Sequence, residues 1–92
     1  MINVDIEKIK QKKLEELRNY IAFLLSSTDY IIVKIAEAQQ TGDIAKVEDL
    51  KQKYSDRLQQ REKIRQYNEQ TKQAIQNAQT IEELRSIKIE LV

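Results

Sequence analysis

The sequence predicts an all-α protein built on a long antiparallel helical hairpin. Its 92 residues include one glycine and no proline, and these are the two residues that helix interiors tolerate least. The only strong break is the stretch QTGD, where Gly42 can take the left-handed conformation that ends a helix. On both sides of this break, apolar residues recur at alternating spacings of three and four, which is the heptad pattern of packed helices.

The first helix is predicted to run over residues 5–40. The polar stretch SSTD, Ser26 to Asp29, has the composition of a helix start. The apolar seam nevertheless keeps its register across Thr28, so we predict one continuous helix, with a restart at Asp29 as the alternative. The seam consists of Leu14, Leu17, Ile21, Leu24, Thr28, Ile31, Ile35 and Ala38.

A tight turn over residues 41–43 is predicted to lead into a second helix over residues 44–77, with Asp43 as its N-cap. Thr80 and Glu83 form a capping box that predicts a short helix over residues 81–88. The apolar end, IKIELV, either packs on the hairpin or contacts a partner. The seam of the second helix is more polar and consists of Val47, Leu50, Tyr54, Arg57 or Leu58, Arg61, Ile64, Asn68, Thr71, Ile75 and Ala78.

The first helix carries more apolar surface than one partner helix can cover. A helix that is apolar on all sides is normally buried on all sides, which a lone hairpin cannot achieve. We therefore expect self-association, with a homodimer forming a four-helix bundle as the first expectation and a trimer as the next. The interaction residues expected outside the seam are Tyr20, Phe23, Leu25, Ile32 and Val33.

The polar patch of the first helix is predicted to face arginines of the second. Folding the chain antiparallel about Gly42 places Thr28 beside Arg57 and brings Asp29 within reach of Arg57 and Arg61. A carboxylate and a guanidinium can pair bidentately and fix the register. The alternative is that Asp29 and Arg57 are exposed charges that contribute little. The same folding predicts two aromatic contacts, Tyr30 with Tyr54 and Tyr20 with Tyr67.

The composition argues against an enzyme and against a bound cofactor or metal. The chain has no cysteine and no histidine, which removes thiolate chemistry and the commonest general base and metal ligand. A net charge of +1 gives no electrostatic reason to expect nucleic acid or an anionic membrane. The apolar runs are too short to span a bilayer, and the N-terminus lacks the order of a signal peptide. The expected location is therefore the cytoplasm.

Three segments together resemble a known class of proteins. The first helix carries Thr28-Asp29-Tyr30 followed by Lys34, the second carries Arg57, Arg61 and Ile64 at helical spacing, and the chain then reads TIEELRSI. This order is similar to small helical proteins and C-terminal segments of tail modules in tailed phages and prophages. The resemblance implies a structural or assembly component that contacts another tail component, located in the cytoplasm of a bacterial host or incorporated in the virion.

Two functions remain open from the sequence. The first is a non-enzymatic module that associates through helix faces. The second is a small regulatory or nucleic-acid-binding hairpin, which the near-zero net charge disfavours. The basic residues on which it would depend are Lys8, Lys10, Lys12, Lys13, Arg57, Arg61 and Arg65.

Overall fold

The computed structural model describes residues 5–91 as an elongated helical hairpin with a short third helix. Residues 1–4 and 92 of the single predicted domain lie outside this range. The helices of this range are α1 Ile6–Ser26, α2 Asp29–Gln40, α3 Ile44–Lys53, α4 Ser55–Asn77 and α5 Ile81–Ser86. The first arm consists of α1 and α2, the second of α3 and α4, and α1 packs on α4 while α2 packs on α3. The molecule measures 65 × 22 × 18 Å. The all-α prediction is confirmed.

The turn between the two arms has the predicted position and chemistry. α2 ends at Gln40 and α3 begins at Ile44, and Gly42 between them has a φ of 72°. The Asp43 carboxylate accepts a hydrogen bond of 3.0 Å from the backbone N–H of Lys46, which satisfies one of the free donors at the start of α3.

Replacing Gly42 with alanine should destabilise the protein by about 1 kcal/mol, because a Cβ disfavours the left-handed conformation. The surrounding space is open, with no atom within 4 Å of the added Cβ, so the cost comes from the backbone alone. Urea unfolding followed by circular dichroism measures it. Gly42→Asn is the matched control, because asparagine adopts this conformation more readily, and it should lose less. Equal losses in both variants would contradict this account.

The first arm is interrupted at Ser27 and Thr28, so the prediction of one continuous helix was wrong and the alternative restart at Asp29 is correct. The Thr28 N–H donates to the Leu25 carbonyl, and the Ile31 N–H donates to the Thr28 carbonyl. Both bonds have the three-residue spacing of a 3₁₀ turn. The Thr28 hydroxyl also donates to the Leu25 carbonyl over 3.1 Å, and such bonds compete with the regular helix. The heptad seam continues through the break, since Thr28 and Ile31 are both buried.

The second arm is also interrupted, so the predicted helix over residues 44–77 is two helices. Tyr54 separates them with φ −108° and ψ 22°, although its N–H and C=O keep the four-residue spacing in bonds with Leu50 and Leu58. The predicted third helix over 81–88 ends earlier, at Ser86, because Ile87 is extended with φ −79° and ψ 107°. Its predicted N-cap is confirmed, since the Thr80 hydroxyl accepts from the Glu83 N–H over 3.1 Å.

The apolar interior is divided into two clusters, one on each side of the interruptions. The first core lies between α1, α4 and α5, and the second lies between α2 and α3. Ile87 and Ile89 of the apolar end pack on the first core, as expected if this end packs on the hairpin, and Val92 lies outside the described residues. The first core contains Leu17, Ile21, Ile75, Ala78 and Leu84, and the second contains Ile31, Ile35, Ala38 and Val47.

Candidate functional site

A polar layer formed by Thr28, Asp29 and Arg61 separates the two cores. Nη1 of Arg61 donates to the Thr28 hydroxyl over 2.8 Å and to the Leu25 carbonyl over 3.2 Å. It also lies 3.1 Å from a carboxylate oxygen of Asp29. One side chain of α4 thus holds the carbonyl, the hydroxyl and the carboxylate that surround the break in the first arm.

The two charges of the layer have different environments. The side chain of Arg61 is 8% exposed, whereas that of Asp29 is 61% exposed. Nε of Arg61 is buried without a hydrogen-bond partner, which costs free energy. A buried charge is a poor source of stability, and alignment of the two arms is the role that we predict for the layer. Of the two pairings predicted for Asp29, the one with Arg61 is present.

Arg57 does not occupy the place beside Thr28 that the sequence predicted, because Arg61 fills it. Leu58 packs against the second core, so Leu58 faces inward and Arg57 is exposed. Within residues 5–91, Arg57 forms no ion pair. The predicted pairing of Asp29 with Arg57 is therefore wrong, because Arg61, one helical turn further along α4, contacts Asp29 instead.

Both predicted aromatic contacts are confirmed. Tyr30 and Tyr54 meet edge to face with ring centroids 5.9 Å apart, and Tyr20 and Tyr67 do so at 6.4 Å. The first pair lies beside the interruptions of both arms. It therefore braces the two arms where their helical hydrogen bonding is irregular.

Two lysines surround the Tyr54 ring. Nζ of Lys34 lies 5.9 Å from its centroid, and Nζ of Lys53 lies 5.3 Å from it. Partial burial raises the pKa of the Tyr54 phenol, but the charges and hydrogen bonds of the two ammonium groups outweigh this effect and lower the pKa below its ordinary value. We interpret the arrangement as cation–π packing.

An apolar outer face lies on the first arm, formed by Phe23, Tyr30, Ile32 and Val33. Phe23 is 73% exposed and Val33 is 54% exposed. Sequence reasoning missed Tyr30 as a member of this face, although its spacing of seven residues from Phe23 is the signal that would have found it.

Two of the predicted interaction residues lie elsewhere. Leu25 packs against the first core and is not available as an outward contact. The Tyr20 ring contacts Tyr67, and its hydroxyl accepts from the Leu91 N–H over 3.0 Å. The end of the chain thus covers part of the apolar surface that the sequence assigned to a partner.

Comparisons with family models, curated proteins and solved structures find no match for this chain. Over residues 5–91, no group of three or more histidine, cysteine or acidic side chains is placed to hold a metal ion. None of the helices in that range has the length and apolar character needed to cross a membrane.

Proposed function

We propose that this chain is a non-enzymatic structural or assembly module that acts by helix–helix association. The setting we propose is the tail of a phage or prophage, assembled in the cytoplasm of a bacterial host, as the resemblance of the Thr28-Asp29-Tyr30 segment implies. The observation that carries the mechanism is the outer face, because large apolar side chains left exposed on one arm of a small helical protein mark an interaction surface.

The outer face has the geometry of a helix-packing seam. Phe23, Tyr30 and Val33 are spaced by seven and three residues, so they follow one line along the arm. The inner seam keeps its heptad phase through the break, which keeps Phe23 and Val33 on the side of the arm away from the seam. Tyr30 lies at the edge of this line, where it also contacts Tyr54, and Ile32 lies about 200° around α2 from Tyr30. A second copy that presents the same line would bury it in a four-helix arrangement.

The size of the outer face determines how strongly two copies of the chain are expected to associate. A stable interface buries roughly 800 Å² on each partner, and a large aromatic side chain supplies about 150–250 Å². Four apolar residues, two of them aromatic, cover only part of that area. We therefore expect a concentration-dependent homodimer, with a trimer or contact with another tail component as the next possibilities to measure.

Replacing both Phe23 and Val33 with glutamate should convert the dimer to a monomer, because two buried carboxylates would face the same line on the partner. Light scattering coupled to size-exclusion chromatography measures the mass, and circular dichroism checks that the helices remain. Ile44→Glu is the matched control, since Ile44 is 78% exposed but lies outside the outer face. A wild-type monomer at high concentration, or an equal loss of mass in the control, would refute the proposed contact.

The alternative function as a nucleic-acid-binding hairpin gains no support from the site. Arg61, one of its required cations, is buried in the polar layer. A phosphate could reach it only by displacing its three oxygen acceptors.

A further inference from the structure

The last described residues form an extended segment, which we name the strap, over residues 87–91. It follows the end of α5 at Ser86. Burial alternates along it, with Lys88 and Glu90 exposed. Ile87, Ile89 and Leu91 are partly buried, and the two isoleucines pack against the first core. This alternation is the period of a β-strand lying on a surface, although the surface here is helical.

Two tyrosine hydroxyls hold the backbone of the strap. Tyr67 donates to the Lys88 carbonyl over 3.3 Å and accepts from the Glu90 N–H over 2.8 Å. Tyr20 accepts from the Leu91 N–H over 3.0 Å. The two phenols contact each other and thus supply the backbone hydrogen bonds that a neighbouring β-strand would supply. They bind main-chain groups that every peptide has, so the apolar positions alone select the sequence.

Leu91, at the far end of the strap, forms one wall of an open cavity of about 420 Å³. Leu24 and Ile64 supply the other apolar walls, and Gln60 and Lys63 supply polar ones. These walls can receive an apolar side chain of an extended segment.

The strap is held less firmly than the helix before it. Leu84 of α5 is fully buried, whereas the apolar side chains of the strap are only partly covered. Beyond Ile87, whose N–H donates to the Leu84 carbonyl, the strap backbone has three hydrogen bonds, all to phenols. When the strap leaves, both hydroxyls can bond to water, so no polar group stays buried without a partner. The apolar side chains that line the groove are then exposed to water, which favours the binding of another apolar segment.

We propose that the groove between α1 and α4 beside Tyr20 and Tyr67 is a binding site for an extended peptide segment of a partner protein. The segment has apolar residues at three alternate positions, and it displaces the strap. The strap occupies the site from within the chain, where a short tether gives an effective concentration of roughly millimolar. The partner can bind only those molecules in which the strap has left the groove, so its apparent affinity falls in proportion to that fraction. This inference is independent of the outer face.

The direct test weakens the binding of the strap in the full chain and measures how tightly a peptide binds to the groove. The variant carries Ile89→Asp and Leu91→Asp, and the probe is a fluorescent synthetic peptide copying residues 86–91, SIKIEL. We expect fluorescence polarisation to show at least tenfold tighter binding to the variant than to the wild type. Lys88→Asp, at an exposed strap position, is the control and should bind the peptide like the wild type. Equal binding by all three proteins, with helical content intact, overturns the proposal.

A second measurement needs no disruptive change. Tyr67→Phe keeps the ring and removes the hydroxyl, so hydrogen exchange at the Glu90 amide should accelerate at least tenfold while the Leu84 amide is unchanged. Unaltered exchange at Glu90 means that the hydroxyl does not hold the strap, and it overturns the proposed site. A wild-type oligomer that dissociates on Leu91→Asp alone assigns the groove to the strap of a second copy, which overturns the partner peptide.

Discussion

Replacing Arg61 with alanine is expected to destabilise the protein by about 2–3 kcal/mol. The change leaves a cavity where the long side chain was buried, and it deprives the Thr28 hydroxyl and the Leu25 carbonyl of a donor. Removing the buried charge and its unsatisfied Nε recovers part of this loss. The free-energy cost therefore stays below that of truncating a buried apolar side chain of similar size. Urea unfolding followed by circular dichroism measures the free energy.

Two neighbouring variants serve as controls for Arg61. Arg57→Ala removes an exposed side chain one helical turn away, and it should change the free energy of unfolding by less than about 0.5 kcal/mol. Asp29→Ala should cost no more than about 1 kcal/mol, because the Asp29 carboxylate is mostly exposed. A loss at Arg57 as large as at Arg61 would show that the polar layer does not have the partners that the structure assigns to it.

The cause of the loss can be separated by filling the layer with apolar side chains. Arg61→Met restores the volume of the stem without its charge, and Thr28→Val removes the hydroxyl that would be left without its donor. The double variant should recover most of the stability lost in Arg61→Ala, since buried ion pairs are often replaceable by packed apolar groups. If it also forms oligomers of mixed mass, the polar layer contributes to alignment rather than to stability, as buried polar residues do in coiled coils.

The inner seams show how far the sequence determines this fold. The heptad spacing correctly placed Leu17, Ile21, Ile31 and Ile35 inside, because burial depends on which side of a helix a residue occupies. It could not show that the first arm breaks at Thr28, because the break preserves that phase. The break depends on a hydroxyl and a distant guanidinium that share one carbonyl, and helix periodicity contains no information about such bonds.

The residues of the candidate surfaces were likewise predicted correctly only in part. Phe23, Ile32 and Val33 were predicted outside the seam and are exposed. Tyr20 and Leu25 were predicted with them but are partly covered within the chain. For Tyr20 the difference lies in the strap, whose alternating apolar residues are visible in the sequence IKIEL, whereas the two phenols that bind it come from distant positions. Leu25 is covered because it packs against the first core.

Replacing Leu84 with alanine should destabilise the protein by about 2–4 kcal/mol, because Leu84 is 1% exposed and joins α5 to the first core. Urea unfolding again measures the free energy. Arg85→Ala, next to it on the exposed side of α5, is the matched control and should stay within about 0.5 kcal/mol of the wild type. Comparable losses would mean that α5 does not depend on this contact.

The distribution of the loss from Leu84→Ala tests whether the polar layer divides the molecule energetically. The first core is formed by α1, α4 and α5, whereas the second is formed by α2 and α3 with Leu58 of α4 packed against it. If the layer allows each core to open separately, hydrogen exchange should accelerate in α1 and α4 and stay unchanged in α2 and α3. Acceleration throughout would show one cooperative unit. The buried Arg61 would then couple the two cores, and its replacement by alanine should increase exchange on both sides of the layer.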